Sequence, residues 1–373
     1  MELFQQMAGM GHERVLFCSS PEVGLQAIIA VHSTVLGPGL GGARMFPYQS
    51  MDEALTDVLR LSRGMTYKAA VTGLNLGGGK AVILGDPKTD KTEALFRTFG
   101  RFVDSLGGLY ITAEDVGTDV DAMEWIYTET PWVTGVSAVH GGSGDPSPVT
   151  AFGVLQGIKA SARFLWGSDS LAGRAVAIQG LGNVGYHLGK FLLEDEKAKV
   201  FGADVDGDRI ARAREAGVEI VPKEQILEVD CDVVAPCALG AILDDKSIPK
   251  LKCKIVAGAA NNQLADEKRD GRAVHDRGIL YAPDFVINAG GLINVYHELT
   301  GYNRERAMRA ARGIYNNMLR VYEISHDEAM PTYQAADRLA EERIARVQRM
   351  APQHWGQHWK KTIRERALPR NGV

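Results

Sequence analysis

Apolar and polar positions change period along this chain, and the changes predict its elements. Two short, bounded apolar runs, Val15–Cys18 and Gly24–His32, predict strands. Ser50-Met51-Asp52-Glu53 has the capping-box spacing, in which the hydroxyl and the carboxylate each satisfy a free backbone N–H. Ala54, Leu55, Val58, Leu59, Leu61, Ser62 and Met65 follow as an apolar stripe at helical spacing, and Lys68 falls near the end of that helix. Ala81–Leu84 predicts a strand stopped by Gly85-Asp86-Pro87. A helix over about 92–105 places Leu95, Phe96, Phe99, Phe102, Val103 and Leu106 on one side. Tyr110–Thr112 predicts a short strand with Asp115 just past its end, and Thr118-Asp119-Val120-Asp121 opens the next helix.

Gly141-Gly142-Ser143-Gly144-Asp145-Pro146-Ser147-Pro148 breaks any regular element and reads as a linker. Beyond it the pattern alternates. A helix over about 150–165 leads to strand Ala175–Gln179, a glycine turn and helix Val184–Leu193. Strand Lys199–Ala203 precedes helix Arg209–Ala216, and Asp232–Ala235, Lys254–Ala257 and Ile279–Ala282 fit further strands. This βαβ alternation predicts a parallel sheet. The expected fold class is α/β with two domains separated by a cleft. Residues 1–140 form an N-terminal α/β domain, completed by C-terminal helices over 331–373, and residues 141–330 form a Rossmann dinucleotide-binding domain.

A length of 373 residues suits two cores, and 45% hydrophobic with 24% charged residues is ordinary for a globular chain. The net charge of −4 gives no pull toward nucleic acid or an anionic membrane. No apolar run approaches the roughly 20 residues of a membrane span, and Met1–Arg14 lacks the basic-then-apolar layout of a secretory signal. Cys18, Cys231, Cys237 and Cys253 show no Cys-x-x-Cys spacing. They read as reduced, buried thiols of a cytoplasmic protein, with no structural metal.

Gly180-Leu181-Gly182-Asn183-Val184-Gly185 follows an apolar strand and opens a helix, so N–H groups at the helix start can face a pyrophosphate. Asp204 ends the next strand, 24 positions after Gly180. A carboxylate there can accept hydrogen bonds from the ribose hydroxyls of NAD and repel the extra phosphate of NADP. Asp206 and Asp208 add to that repulsion. The alternative is a glycine turn without a ligand. In the first half, Gly77-Gly78-Gly79-Lys80 puts a lysine between a glycine run and the apolar Ala81–Leu84, twelve residues after Lys68. A lysine held there can lose its proton far more easily than one in water. The alternative is that Lys68 and Lys80 are solvated surface residues, with Asp115 a helix-start acid.

Several motifs in order carry a resemblance. They are Leu36-Gly37-Pro38-Gly39-Leu40-Gly41-Gly42, Arg63-Gly64-Met65-Thr66-Tyr67-Lys68, Gly73-Leu74-Asn75-Leu76-Gly77-Gly78-Gly79-Lys80 and Thr112-Ala113-Glu114-Asp115-Val116-Gly117-Thr118, then Ala259-Ala260-Asn261-Asn262-Gln263 and Val286-Ile287-Asn288-Ala289-Gly290-Gly291. Over about residues 1–346 the chain resembles the Glu/Leu/Phe/Val amino-acid dehydrogenases, most closely their leucine-acting branch. The resemblance implies NAD-dependent, reversible oxidative deamination of an apolar L-amino acid, leucine, valine or isoleucine, to its 2-oxo acid and ammonia. It implies Lys80 as general base, Asp115 as the acid that steers protons and orients the lysine and the substrate amine, and Lys68 on the substrate α-carboxylate. Gly41 and Gly42 would line the substrate backbone, Asn288 would meet its carboxylate, and Leu40, Ala113, Leu292 and Val295 would line its side chain. Thr150 would reach the nicotinamide carboxamide, and Asn261 the nicotinamide or the substrate. It also implies a homo-oligomer, octamer or dimer.

The four pocket residues are apolar and offer no cation to a second carboxylate, which argues against glutamate. Leu292 with Tyr296 also resembles the tryptophan-acting relatives, so the same reaction on an aromatic amino acid stays open, as does a non-catalytic NAD-binding regulator. The tail His354-Trp355-Gly356-Gln357-His358-Trp359-Lys360-Lys361 reads as an oligomer contact ahead of a metal, membrane or nucleic-acid site.

Overall fold

The computed structural model describes residues 3–238 and 240–350, so the tail motif at 354–361 lies outside the described residues. The chain forms two compact units. Among the described residues, one holds those up to Gly144, Val295–Asn303 and those from Ala340; the other holds Asp145–Asn294 and Arg304–Leu339.

The first unit runs α1 (Leu3–Met10), β1 (Arg14–Ser20), β2 (Leu25–Ser33), β3 (Gly39–Leu40), β4 (Ala43–Phe46), α2 (Met51–Val71), β5 (Gly77–Leu84), α3 (Glu93–Ser105), β6 (Tyr110–Ile111) and α4 (Val120–Tyr127). Its sheet has the order β1-β2-β5-β3-β6, with β4 also pairing β5. β2 is antiparallel to β1 and β5, whereas β3 and β4 join β5 in parallel. β5 starts at Gly77, four residues before the expected strand. Hydrophobic periodicity cannot see a run without side chains, yet Gly77, Gly78 and Gly79 pair with Gly39, Leu40 and Val31. A Cβ on Gly77 would lie 1.9 Å from the Ser33 carbonyl oxygen, one on Gly78 2.2 Å from Thr66 Oγ1, and one on Gly79 2.5 Å from the Tyr110 ring. The glycines therefore let β2, α2 and β6 close on one strand.

Ser50 Oγ accepts the Glu53 N–H at 3.1 Å, as a capping box requires. The Glu53 carboxylate instead takes the N–H of Gln49, one residue before the cap, at 2.8 Å. Ala54, Leu55, Val58 and Leu59 of α2 pack on Ile28, Ala30 and Val82.

The second unit contains α5 (Ser147–Trp166), β7 (Ala175–Gln179), α6 (Asn183–Lys190), β8 (Lys199–Ala203), α7 (Gly207–Glu215), β9 (Glu219–Ile220), β10 (Val233–Pro236), β11 (Ile255–Val256), α8 (Glu267–Asp276), β12 (Leu280–Tyr281) and α9 (Asp284–Ile287). The chain continues through α10 (Gly290–Tyr296), α11 (Arg304–Ala311), α12 (Gly313–Asp327) and α13 (Thr332–Met350). The sheet order is β12-β11-β10-β7-β8-β9, and every pair is parallel. Strand order reverses beside β7, the doubly wound arrangement that leaves a crevice at the carboxyl ends of the strands. α5 begins at Ser147, inside the stretch expected as linker, because Pro148 sits in the first turn, where its missing N–H costs nothing. α6 ends at Lys190, earlier than expected, and passes into a π-turn over Phe191–Asp195. Among the described residues no helix is long and apolar enough to cross a membrane.

Candidate active site

Side chains alternate along a strand, so Lys80 shares a face of β5 with Gly78 and Val82. That is the face α2 covers, through Ser62 and Thr66 at Gly78 and through Val58 and Leu59 at Val82. Lys80 is therefore interior, with 7% of its side chain exposed, and not a surface lysine. Its Nζ lies 2.7 Å from Oδ2 of Asp115, which follows β6. Burial pushes the Lys80 ammonium below its ordinary value; Asp115 opposes the shift and nearby Arg44 reinforces it. Burial alone would raise the Asp115 carboxyl, but Lys80 and Arg44 outweigh it and hold the group below the ordinary carboxylate range.

Arg44 joins this pair. It sits on β4, donates from Nε to Asp115 Oδ2 at 3.1 Å and from a terminal nitrogen to Asp57 Oδ2 at 3.0 Å. Asp57 also accepts from the Tyr48 hydroxyl at 2.7 Å and from Arg60 at 3.0 Å. The available signal was a lone cation within Leu40–Phe46, directly after the glycine pair.

Lys68 is half-buried in the last turn of α2. Gly41 and Gly42 are buried, and their missing side chains serve close backbone packing. A Cβ on Gly41 would lie 1.9 Å from the Gly79 carbonyl oxygen, and one on Gly42 2.4 Å from that of Glu114 and 2.7 Å from Asp115 Cβ. Gly42 thus sets how closely Asp115 approaches β4. Leu40 and Ala113 are buried in the same unit. The Tyr110 hydroxyl donates to the Gly41 carbonyl at 2.7 Å.

In the second unit, Gly180 has a φ of 95°, which favours glycine, and a Cβ there would lie 2.6 Å from that of Ala238. A Cβ on Gly185 would lie 1.9 Å from the Gly180 carbonyl oxygen, so this glycine closes helix on turn. At Gly182, the N-cap of α6, only Arg209 Nη1 comes within 4 Å of such a Cβ, at 3.8 Å. No side chain caps α6, so the N–H groups of Asn183 and Val184 at its start suit a phosphate. The cradle fits a dinucleotide. Leu181 contributes differently from the expectation: its side chain is fully buried against Gly202. Its N–H goes to Asp204 Oδ2 at 2.6 Å. Asp204 also accepts from the N–H groups of Val205 at 2.7 Å and Asp206 at 3.0 Å, so its carboxylate pins the glycine turn.

Thr150 is half-buried in the first turn of α5, where a Cβ on Gly290 would lie 2.7 Å from its Cα. Asn288 is buried. Its amide nitrogen donates to the Ala259 carbonyl at 3.1 Å and to Asn261 Oδ1 at 2.7 Å. The Ala259 carbonyl can only accept, which fixes this orientation of the amide. Asn288 Oδ1 is left buried without a protein partner. Leu292 is buried on α10 and Val295 half-buried at its end.

The family model described as Glu/Leu/Phe/Val dehydrogenase, dimerisation domain, matches residues 12–132. The one described as Glutamate/Leucine/Phenylalanine/Valine dehydrogenase matches residues 202–351. The chain is 57% identical over 345 residues to the leucine dehydrogenase of Geobacillus stearothermophilus, covering 92% of this chain and 94% of that one. It is 47% identical to the phenylalanine dehydrogenase of Caldalkalibacillus thermarum, covering 91% and 93%. The crystal structure of L-tryptophan dehydrogenase from Nostoc punctiforme superposes with a TM-score of 0.83 at 45% identity, covering 93% and 99%. The residues from the glycine pair through Lys80 and Asp115 lie inside the first match, and this chain belongs to the Glu/Leu/Phe/Val dehydrogenase family of amino-acid oxidoreductases.

Proposed function

We propose that this dehydrogenase reversibly deaminates leucine, valine and isoleucine with NAD, releasing the 2-oxo acid and ammonia, and works as a homo-oligomer. The observation that carries the chemistry is the buried Lys80 paired at 2.7 Å with Asp115. The substrate class rests on the 54–57% identity to leucine dehydrogenases against 47% to phenylalanine dehydrogenases.

NAD, when bound, accepts the hydride from the substrate Cα. The residues that would hold it are the turn Gly180-Leu181-Gly182-Asn183-Val184-Gly185, Asp204, Thr150 and Asn261. Lys68 binds the substrate α-carboxylate as a point charge. Neutral Lys80 takes a proton from the water that attacks the iminium carbon, and the ammonium so formed lies against Asp115. Asn288 meets the substrate carboxylate. Gly41 and Gly42 keep the backbone beside the substrate narrow. Leu40, Ala113, Leu292 and Val295 meet its side chain, and four apolar groups cannot satisfy a buried second carboxylate.

The test is NADH formation at alkaline pH with leucine, valine, isoleucine, phenylalanine, tryptophan and glutamate, on the wild type and Lys80→Ala. Branched-chain substrates should lead, and the variant should lose at least about a thousandfold in turnover. Phenylalanine or tryptophan in the lead would overturn the substrate class, and near-wild-type turnover in Lys80→Ala would overturn the base.

A further inference from the structure

We infer that Arg44, held in turn by Asp57, is a positioning residue that fixes the Asp115 carboxylate against Lys80 and biases the base toward its neutral form. The inference rests on the reading of Lys80 as the base.

Two cations meet one oxygen. Asp115 Oδ2 accepts from Lys80 Nζ at 2.7 Å and from Arg44 Nε at 3.1 Å. A proton arriving on that oxygen would have to displace a charge-assisted hydrogen bond. Arginine cannot yield by losing its own proton, so the cost does not relax when Lys80 becomes neutral. The planar fork of Arg44 reaches Asp57 Oδ2 at 3.0 Å with its other arm, and Asp57 is fixed by Tyr48 and Arg60. The charges alternate: Lys80, Asp115, Arg44, Asp57, Arg60. A lysine at position 44 could not span both carboxylates, because its point charge lacks the fork. Asp115 then orients Lys80 and offsets its charge.

The charged groups that act on Lys80 are Asp115 beside β6, Arg44 of β4 and Asp57 of α2; Tyr110 of β6 faces Asp115, and Tyr48 and Arg60 hold Asp57. The Arg44 charge favours neutral Lys80 and the Asp57 charge opposes it. Removing one or the other should therefore move the titration of the base in opposite directions.

The experiment is the pH dependence of kcat and kcat/KM for leucine with NAD in the wild type, Lys80→Ala, Arg44→Gln and Asp57→Asn, with thermal unfolding recorded for each. The rising alkaline limb should move up by about one pH unit in Arg44→Gln and down in Asp57→Asn. KM for leucine should change less than kcat at neutral pH. An unmoved limb in both variants, or the same direction in both, would reduce Arg44 to scaffolding and overturn the inference. If Arg44→Gln does not fold, the downward shift in Asp57→Asn decides alone. A limb that survives Lys80→Ala brings down the base assignment and this inference with it. A limb that needs Lys80 but ignores positions 44 and 57 brings down only the inference.

Discussion

Asp204 and the paired imidazoles His12 and His32 each do something their local sequence does not announce. The Asp204 carboxylate receives three backbone N–H groups and lies below the ordinary carboxylate range; burial opposes the shift and those N–H groups prevail. It shapes the turn whether or not a ribose is present. Asp204→Ala should weaken NAD binding about tenfold or more and relax rejection of NADP. Titration with both nucleotides checks this, and an unchanged preference would refute the role. His12 Nε2 donates to the Leu59 carbonyl at 3.1 Å, and His32 Nε2 to that of Met10 at 3.0 Å, with ring centroids 4.9 Å apart. Burial, with the neighbouring ring and Arg63, lowers His12 to about 4; burial chiefly, with Arg63, lowers His32 to about 4. A base depressed in the folded state lets the unfolded chain bind protons first. Stability is then intact above about pH 6.5 and falls as pH drops toward 4, by up to about 3 kcal/mol per ring. Unfolding midpoints across pH 7 to 4 should show this loss, and His32→Gln should reduce it; a profile identical to the wild type would remove the imidazoles from the account.

At the scale of elements, α2 carries Lys68 in its last turn, and that end is held from far along the chain. Arg343 of α13 donates to the carbonyls of Ala69 and Ala70 at 3.0 Å and of Gly73 at 2.9 Å. A cation at the carbonyls of a helix end is favourable both as a hydrogen-bond donor and against the helix dipole. Arg343→Ala should cost about 1–3 kcal/mol and raise KM for the amino acid if the end of α2 loosens. Denaturant unfolding with kinetics checks both, and an unchanged midpoint would show that the helix end needs no such anchor. The glycine-rich start of β5 is the opposite case. In the sequence it stands as a glycine run before a strand, because a sheet contact made by backbone alone leaves no periodic mark.

At the scale of the molecule, membership in the family comes with a domain described for dimerisation, and a defined homo-oligomer is the expected state. Light scattering at micromolar concentration should give a mass that is a multiple of 40.5 kDa; a monomer with full activity would remove assembly from the mechanism.

Residue order by itself determined the alternation of strands and helices in the second unit, the Ser50 cap and stripe of α2, and the glycine turn. These rest on periods of two and 3.6 residues, on local caps and on motif order, all readable within a few positions. Tertiary structure alone decided that Arg44 meets Asp115 across 71 positions, that Leu181 N–H meets Asp204 across 23, and that Asn288 commits its amide nitrogen to residues 27 and 29 positions away. It also decided that Lys80 lies inside. Such pairings arise when sheet register and helix packing bring distant polar groups into one low-dielectric place, where each must find a partner, and nothing in the local pattern encodes which partner that will be.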